Sequence, residues 1–260
     1  MIITSLQNPR VKDLVKLRDR RGRDKIGQFL IEGYRELLRA VEGKKEIKTI
    51  YFCPELFLGE NEEALMERAR CELVEVNKHV FEKISYRDRP DGLIACAPFF
   101  ETSLTRFEKK QNPFYIVAEA IEKPGNLGSI LRSSDAAGVD GLILCDKCTD
   151  LFNPNVVRSS VGTLFTVPVA EASSEETLSY LRAQGVQILA ATPEAKKVFT
   201  EVDVTGPVAI IVGTEQLGLS EKWMKEADLQ VRIPMLGIAD SLNVAAATTL
   251  LLYEVVRQRC

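Results

Sequence analysis

Three separated stretches of the chain hold residue types suited to approaching a small ligand closely. The first is Pro124-Gly125-Asn126-Leu127-Gly128, with Arg132 shortly after. It follows an apolar run, Phe114 to Ala118, and opens a helical one, Leu127 to Ala137. Pro124-Gly125 makes a turn, and Asn126 is a favourable helix N-cap. Leu127, Ile130, Leu131 and Ser134 then share one helix face, with Arg132 off it. The second stretch is Gly213-Thr214-Glu215 followed by Gly218-Leu219-Ser220, directly after apolar Val208 to Val212. Glycine lets backbone approach a ligand closely, and Glu215 sets a carboxylate beside it. The third joins Ile233-Pro234-Met235 to Ser241-Leu242-Asn243-Val244. Ser241 is expected to cap an almost wholly apolar helix, Leu242 to Arg257, which must therefore be buried. Asn243 just inside such a helix is costly unless its amide finds a partner. Taken singly, each stretch also reads as an ordinary turn, loop or helix start.

The elements that must position these residues follow from hydrophobic periodicity. From residue 113 onward, β-rich runs recur at Phe114 to Ala118, Leu142 to Cys145, Thr166 to Val169, Val186 to Ala191, Val208 to Val212 and Leu229 to Ile233. Helical segments alternate with them, notably Leu127 to Ala137, Glu175 to Ala183 and Leu242 to Arg257. Continuous runs such as Ala209-Ile210-Ile211-Val212 suit strands covered on both faces, so the fold class is α/β with a mostly parallel sheet. Residues 1–100 read as a smaller α/β unit, with helices over Val11 to Arg20 and Tyr34 to Val41 and a strand at Phe29-Leu30-Ile31. The polar stretch 101–112 reads as a linker, and 113–260 as the second domain.

Composition narrows the function classes. The chain has 260 residues, 45% hydrophobic and 27% charged, an ordinary globular balance. Six cysteines are too few for a disulfide scaffold. No apolar run reaches the roughly 18 residues of a membrane span, and no secretory leader is expected. A cytoplasmic protein is expected. The net charge is −3, yet residues 1–50 hold thirteen Lys/Arg against seven Asp/Glu. A basic amino-terminal part on an acidic whole suggests a polyanion-binding surface there. Cys145-Asp146-Lys147-Cys148 is a C-x-x-C, but no second pair or nearby histidine completes a metal site, and none is expected. Gly125 and Gly128 lack dinucleotide-fingerprint spacing, which argues against a nicotinamide-dependent dehydrogenase.

The three stretches, in this order, resemble the motifs of the SpoU (TrmH) family of SPOUT-class RNA 2′-O-ribose methyltransferases. Asn153-Pro154-Asn155-Val156-Val157-Arg158-Ser159-Ser160-Val161-Gly162 also fits the family pattern. One departure is Thr214, where Asn or Ser is common. The amino-terminal part, from Ile3-Thr4-Ser5 to Phe29-Leu30-Ile31-Glu32-Gly33, is similar to the substrate-binding domain that many members carry. The resemblance implies a carboxy-terminal parallel-sheet domain with a deep trefoil knot, preceded by a small α/β RNA-binding domain. It further implies S-adenosylmethionine as cofactor, a homodimer, and methylation of a ribose 2′-hydroxyl, in ribosomal RNA rather than tRNA. A catalytically silent RNA-binding protein on the same scaffold is the reading from another class.

Carried over by motif, Asn126, Arg132, Glu215, Ser241 and Asn243 are the expected catalytic residues, and Thr192, Gly213, Gly218, Ile233, Met235 and Leu242 the expected cofactor-binding ones. The chain's one histidine, His79, lies outside this domain. The base proposed for the family is the arginine at the position of Arg132. A guanidinium normally stays protonated, so a clamp that steadies substrate phosphate and developing alkoxide is the other role open to it. Arg10, Lys12, Lys16, Arg18, Arg20, Arg21 and Arg23 are the expected phosphate contacts.

Overall fold

A computed structural model describes residues 2–214 and 217–260. The chain divides into two compact units, Met1–Phe100 with Asp150–Thr166, and Glu101–Thr149 with Val167–Cys260. The first unit holds α1 (Pro9–Lys16), α2 (Arg20–Ile26), β1 (Gln28–Glu32), α3 (Tyr34–Glu42), β2 (Thr49–Phe52), α4 (Glu62–Ala69), β3 (Glu72–Glu75), α5 (Lys78–Ile84) and β4 (Leu93–Pro98). The second opens with β5 (Phe114–Glu119), α6 (Pro124–Ala137) and β6 (Gly141–Cys145). Next comes α7 (Pro154–Ser159), which belongs to the first unit. The second continues with β7 (Val169–Ala172), α8 (Ser174–Ala183), β8 (Gln187–Ala191), β9 (Lys197–Val198), β10 (Val208–Val212), α9 (Glu221–Glu226), β11 (Leu229–Arg232) and α10 (Val244–Arg259).

In the first unit a four-stranded sheet has the order β1-β4-β2-β3. β2 and β3 run parallel, and β4 pairs antiparallel with β1 and β2. Val11, Leu14, Phe81 and Ile84 from the helices bury against Leu30, Ile94 and Cys96 of the sheet. One helix was expected over Val11 to Arg20, but the chain breaks between α1 and α2. It doubles back so tightly that a Cβ on Gly22 would overlap the Lys16 carbonyl.

Residues 150–166 join this unit through aromatic packing and a buried ion pair. The Phe152 ring centroid lies 4.8 Å from that of Phe29 and 4.7 Å from that of Phe99. Arg23 is 1% exposed and donates from Nε and Nη2 to Asp150 Oδ2 at 3.0 and 2.5 Å. Sequence alone assigns these residues to the carboxy-terminal domain 113–260, because their ties to Arg23 and Phe29 span more than a hundred positions. The expected linker is likewise packed within the second unit. Phe107 is buried, with its ring 5.5 Å from that of Tyr115, and Thr102 O accepts the Glu171 amide at 2.8 Å.

The second unit is built on a parallel sheet of order β7-β6-β5-β10-β8-β11-β9. Ile210 of β10 pairs with Ile116 of β5 on one side and Leu189 of β8 on the other. All five residues of β10 are buried, as a strand covered on both faces must be. β7 starts at Val169 rather than Thr166, because Pro168 has no amide to give a ladder.

Candidate active site

Ligands of open parallel sheets bind beyond the carboxyl ends of the strands. A hollow of about 350 Å³ lies there, past the ends of β8, β10 and β11. That volume falls within the roughly 300–1,000 Å³ of small-molecule sites. Thr192, Gly213, Gly218, Ile233, Met235 and Leu242 all line it, and so does Ser241. The six residues expected to hold a cofactor thus meet around one cavity, although they come from three loops.

The glycine loop is a backbone cradle. Thr214 and Gly218 exchange amide-to-carbonyl hydrogen bonds, both 3.1 Å. Gly218 takes φ +65°, and a Cβ on Gly213 would overlap the Gly218 carbonyl. A side chain at Gly213 would force the loop to shift, and one at Gly218 would strain the backbone. Glu215 lies outside the described residues. The end of the loop is pinned by buried Glu119 at the end of β5, whose Oε2 accepts the Ser220 amide at 2.8 Å. Buried Val231, Val244 and Leu251 floor the cavity, and the exposed residues Glu194 and Asp240 are among those at its rim. Such a site accepts a flat apolar group against the floor and a positive charge near the rim.

Asn243 is the N-cap of α10, in place of the expected Ser241. Its Oδ1 accepts the Ala245 amide at 3.0 Å, while its Nδ2 donates to Asn126 Oδ1 at 3.1 Å. Both ends of the amide are therefore satisfied, which answers the cost of a polar residue at the start of an apolar helix. Asn126 is likewise not a cap: α6 starts earlier, at Pro124, with Lys123 at the N-cap. A second tie between α6 and α10 is the pair Ser133 Oγ and Thr249 Oγ1, 2.7 Å apart.

Arg132 is not among the residues lining the hollow. It lies six residues beyond Asn126 on α6, about 9 Å along the axis. Its side chain is exposed and meets no hydrogen-bond or ion-pair partner among the described residues. Among the described residues, no hydrogen bond joins Arg132 to Asn126, Ser241 or Asn243, which the sequence pairs with it as catalytic residues.

Of the expected RNA contacts, Arg23 and Arg18 are taken up by the fold. Arg23 is fully buried on Asp150, and its Nη1 donates to Leu17 O and Arg18 O. Arg18 Nη2 donates to the carbonyls of Lys83 and Ser85 at the end of α5. Arg10 pairs with Glu72 and Lys16 with Asp13, both at 2.8 Å, and Arg20 lies 3.8 Å from Asp24. Lys12 and Arg21 stay exposed without such partners among the described residues. A basic count does not show which cations the fold spends on itself.

Glu194, Asp240 and Glu119 are not among the residues expected from the sequence. A usable signal existed for two of them, since Glu119 closes the β5 run and Pro193-Glu194 follows the β8 run, where parallel strands present ligands. Cys145 is buried, with Sγ donating to Thr177 Oγ1 at 3.0 Å, and burial pushes its thiol up to about 12. Cys148 is exposed. No group of metal-ligating side chains occurs among the described residues, and no helix among them is long and apolar enough to cross a membrane.

A glycine cradle and an apolar floor beyond the strands of a parallel sheet define an α/β protein with a cofactor-sized crevice. The chain belongs to the family described as the SpoU rRNA Methylase family, which its residues 113–253 match; residues 8–95 match the MRM3-like substrate binding domain. It is 34% identical to a 23S rRNA (uridine(2479)-2′-O)-methyltransferase of Streptomyces viridochromogenes, over 94% of this chain and 87% of that one. A crystal structure of an RNA 2′-O ribose methyltransferase is 41% identical, with a TM-score of 0.89, covering 100% of this chain and 99% of the other. An AdoMet-bound rRNA methyltransferase from Sinorhizobium meliloti is 33% identical, with a TM-score of 0.90, covering 99% and 97%.

Proposed function

We propose that this protein transfers the methyl group of S-adenosylmethionine to a ribose 2′-hydroxyl of ribosomal RNA. The observation that carries the reading is the convergence of Thr192, Gly213, Gly218, Ile233, Met235, Ser241 and Leu242 on one hollow. The residues present fit the cofactor. Gly213 and Gly218 keep the wall free of side chains, the apolar floor suits an adenine, and Glu194 and Asp240 suit a cationic sulfonium and ammonium. When bound, S-adenosylmethionine supplies a methyl group on a positively charged sulfur, open to in-line attack by an oxygen. The protein's part is to hold that oxygen in line and to ease loss of its proton, and alignment alone supplies about 7–11 kcal/mol of such a barrier. The Asn126–Asn243 pair sets the wall beside Leu242. Names of relatives that act on 23S rRNA favour ribosomal RNA over tRNA.

Several finer points belong to the same reading. Arg132 acts from a second copy of the chain, because it is exposed, unpartnered and outside the hollow of its own copy. A homodimer also covers the exposed apolar side chains of Leu250 and Tyr253 on α10. The carboxy-terminal unit carries the trefoil knot, residues 1–100 bind RNA, and the protein works in the cytoplasm.

Calorimetry with S-adenosylmethionine, and tritium transfer to ribosomal RNA from a deletion strain, test the proposal. Binding with label on a ribose oxygen is expected. A protein that binds no cofactor is the silent RNA-binding scaffold instead. Arg132→Lys tests whether that residue acts through its guanidinium. Loss of turnover at normal RNA affinity fits a base or a bidentate clamp, and full retention removes both.

A further inference from the structure

We infer that the first unit carries a stacking platform for one unpaired RNA nucleotide, with the Tyr86 ring taking the base and Arg158 the adjoining phosphate. The inference rests on the RNA reading above. Tyr86 is 41% exposed, yet it is held at both ends. Its hydroxyl oxygen accepts from Asn155 Nδ2 at 3.0 Å, and its backbone amide donates to Glu32 Oε2 at 2.8 Å. The neighbouring Ser85 hydroxyl donates to the same buried carboxylate. An aromatic face open to water and already fixed in place loses little freedom when a base stacks on it.

The charges beside it divide into spent and unspent. Arg87 is committed, with Nη2 pairing with Glu36 at 2.7 Å and donating to Glu32 O at 2.7 Å. Arg158 borders the same small hollow as Tyr86 and Arg87, is exposed, and its side chain has no hydrogen-bond or ion-pair partner among the described residues. A free guanidinium beside an anchored ring is the pairing that single-stranded nucleic acid meets on its binding proteins. The hollow itself, about 10 Å³, holds no more than a water. The base therefore lies on the outer face of the ring rather than in a pocket. Tyr86 and Arg158 come from segments far apart in sequence, so no basic run announces this surface.

The test is fluorescence anisotropy on the full chain, with a labelled 20-nucleotide single-stranded RNA of mixed sequence and the matching duplex. Tyr86→Ala is expected to weaken single-strand binding about tenfold, from the loss of one stacked base. Tyr86→Phe, which keeps the face, should stay within about threefold of the parent. Arg158→Gln is expected to weaken binding and to lower the salt slope on the single strand by about 0.7. Duplex binding should change less in every variant. Calorimetry with S-adenosylmethionine reports whether each variant is folded, and unchanged cofactor binding is expected. If the parent binds the single strand while Tyr86→Ala and Arg158→Gln stay within twofold of it, the platform is wrong and the RNA reading survives. If the parent binds neither RNA, both fall together.

Discussion

The side-chain amide of Asn243 donates to the amide oxygen of Asn126 at 3.1 Å, across 117 positions of sequence. The same Asn243 caps α10 with its own oxygen. One residue thus fixes where α10 begins, half-buried rather than wholly so, and where the first motif sits against it.

Alanine at Asn243 should cost more than alanine at Asn126, because it removes a cap worth about 1 kcal/mol as well as the link. Asn243→Asp keeps the capping oxygen and removes the donor, isolating the link. A double-mutant cycle by urea denaturation should give a coupling of about 0.5–1.5 kcal/mol for Asn126 and Asn243. Additive effects would mean that the contact contributes nothing.

The glycines of the site should differ in a fixed order. Gly213→Ala drives a methyl into the Gly218 carbonyl and within 2.8 Å of Leu219 N. Overpacking of this kind costs about 1–3 kcal/mol, so cofactor affinity should fall about ten- to a hundredfold by calorimetry. Gly218→Ala meets no atom but must hold φ +65°, at about 1–2 kcal/mol. Gly125→Ala meets neither obstacle and should leave affinity unchanged.

These two cases show how much the sequence holds. Gly213, Met235 and Leu242 were expected together because their motifs resemble those of the SpoU family, and all three line one hollow. The start of α10 was legible only to within two residues, since Ser241 and Asn243 are both good caps and tertiary contact with Asn126 decides between them. Arg23 was misread for a plainer reason. Its partner Asp150 is distant in sequence, and a buried guanidinium looks like a surface one until that partner is known.

Breaking the buried Arg23–Asp150 pair should be costly. Removing one partner leaves an uncompensated charge, and the typical loss is about 3–5 kcal/mol. Arg23→Ala and Asp150→Ala should each lower the urea midpoint strongly, and the double variant should lose much less than their sum. A surface-like loss below about 1 kcal/mol would show that water reaches the pair.

Cysteine labelling tests the burial pattern and the idle C-x-x-C together. Cys148 and Cys260 are exposed, while Cys53, Cys96 and Cys145 are buried. The attacking species is the thiolate. Burial pushes Cys96 and Cys145 up to about 12, so both stay protonated from pH 7 to 9. Ellman's reagent at pH 8 should consume two thiols quickly, Cys71 more slowly, and the remaining three after guanidinium is added. Recovery of a Cys145–Cys148 disulfide under mild oxidation would overturn this picture.

The clasp of Phe152 and Asp150 onto Phe29 and Arg23 has a consequence for biosynthesis. As the chain leaves the ribosome, its first hundred residues wait with an open aromatic face and an uncompensated guanidinium until position 166 has emerged. Nor does a cut at residue 112 liberate a finished amino-terminal half, because the plug that closes it departs with the other fragment.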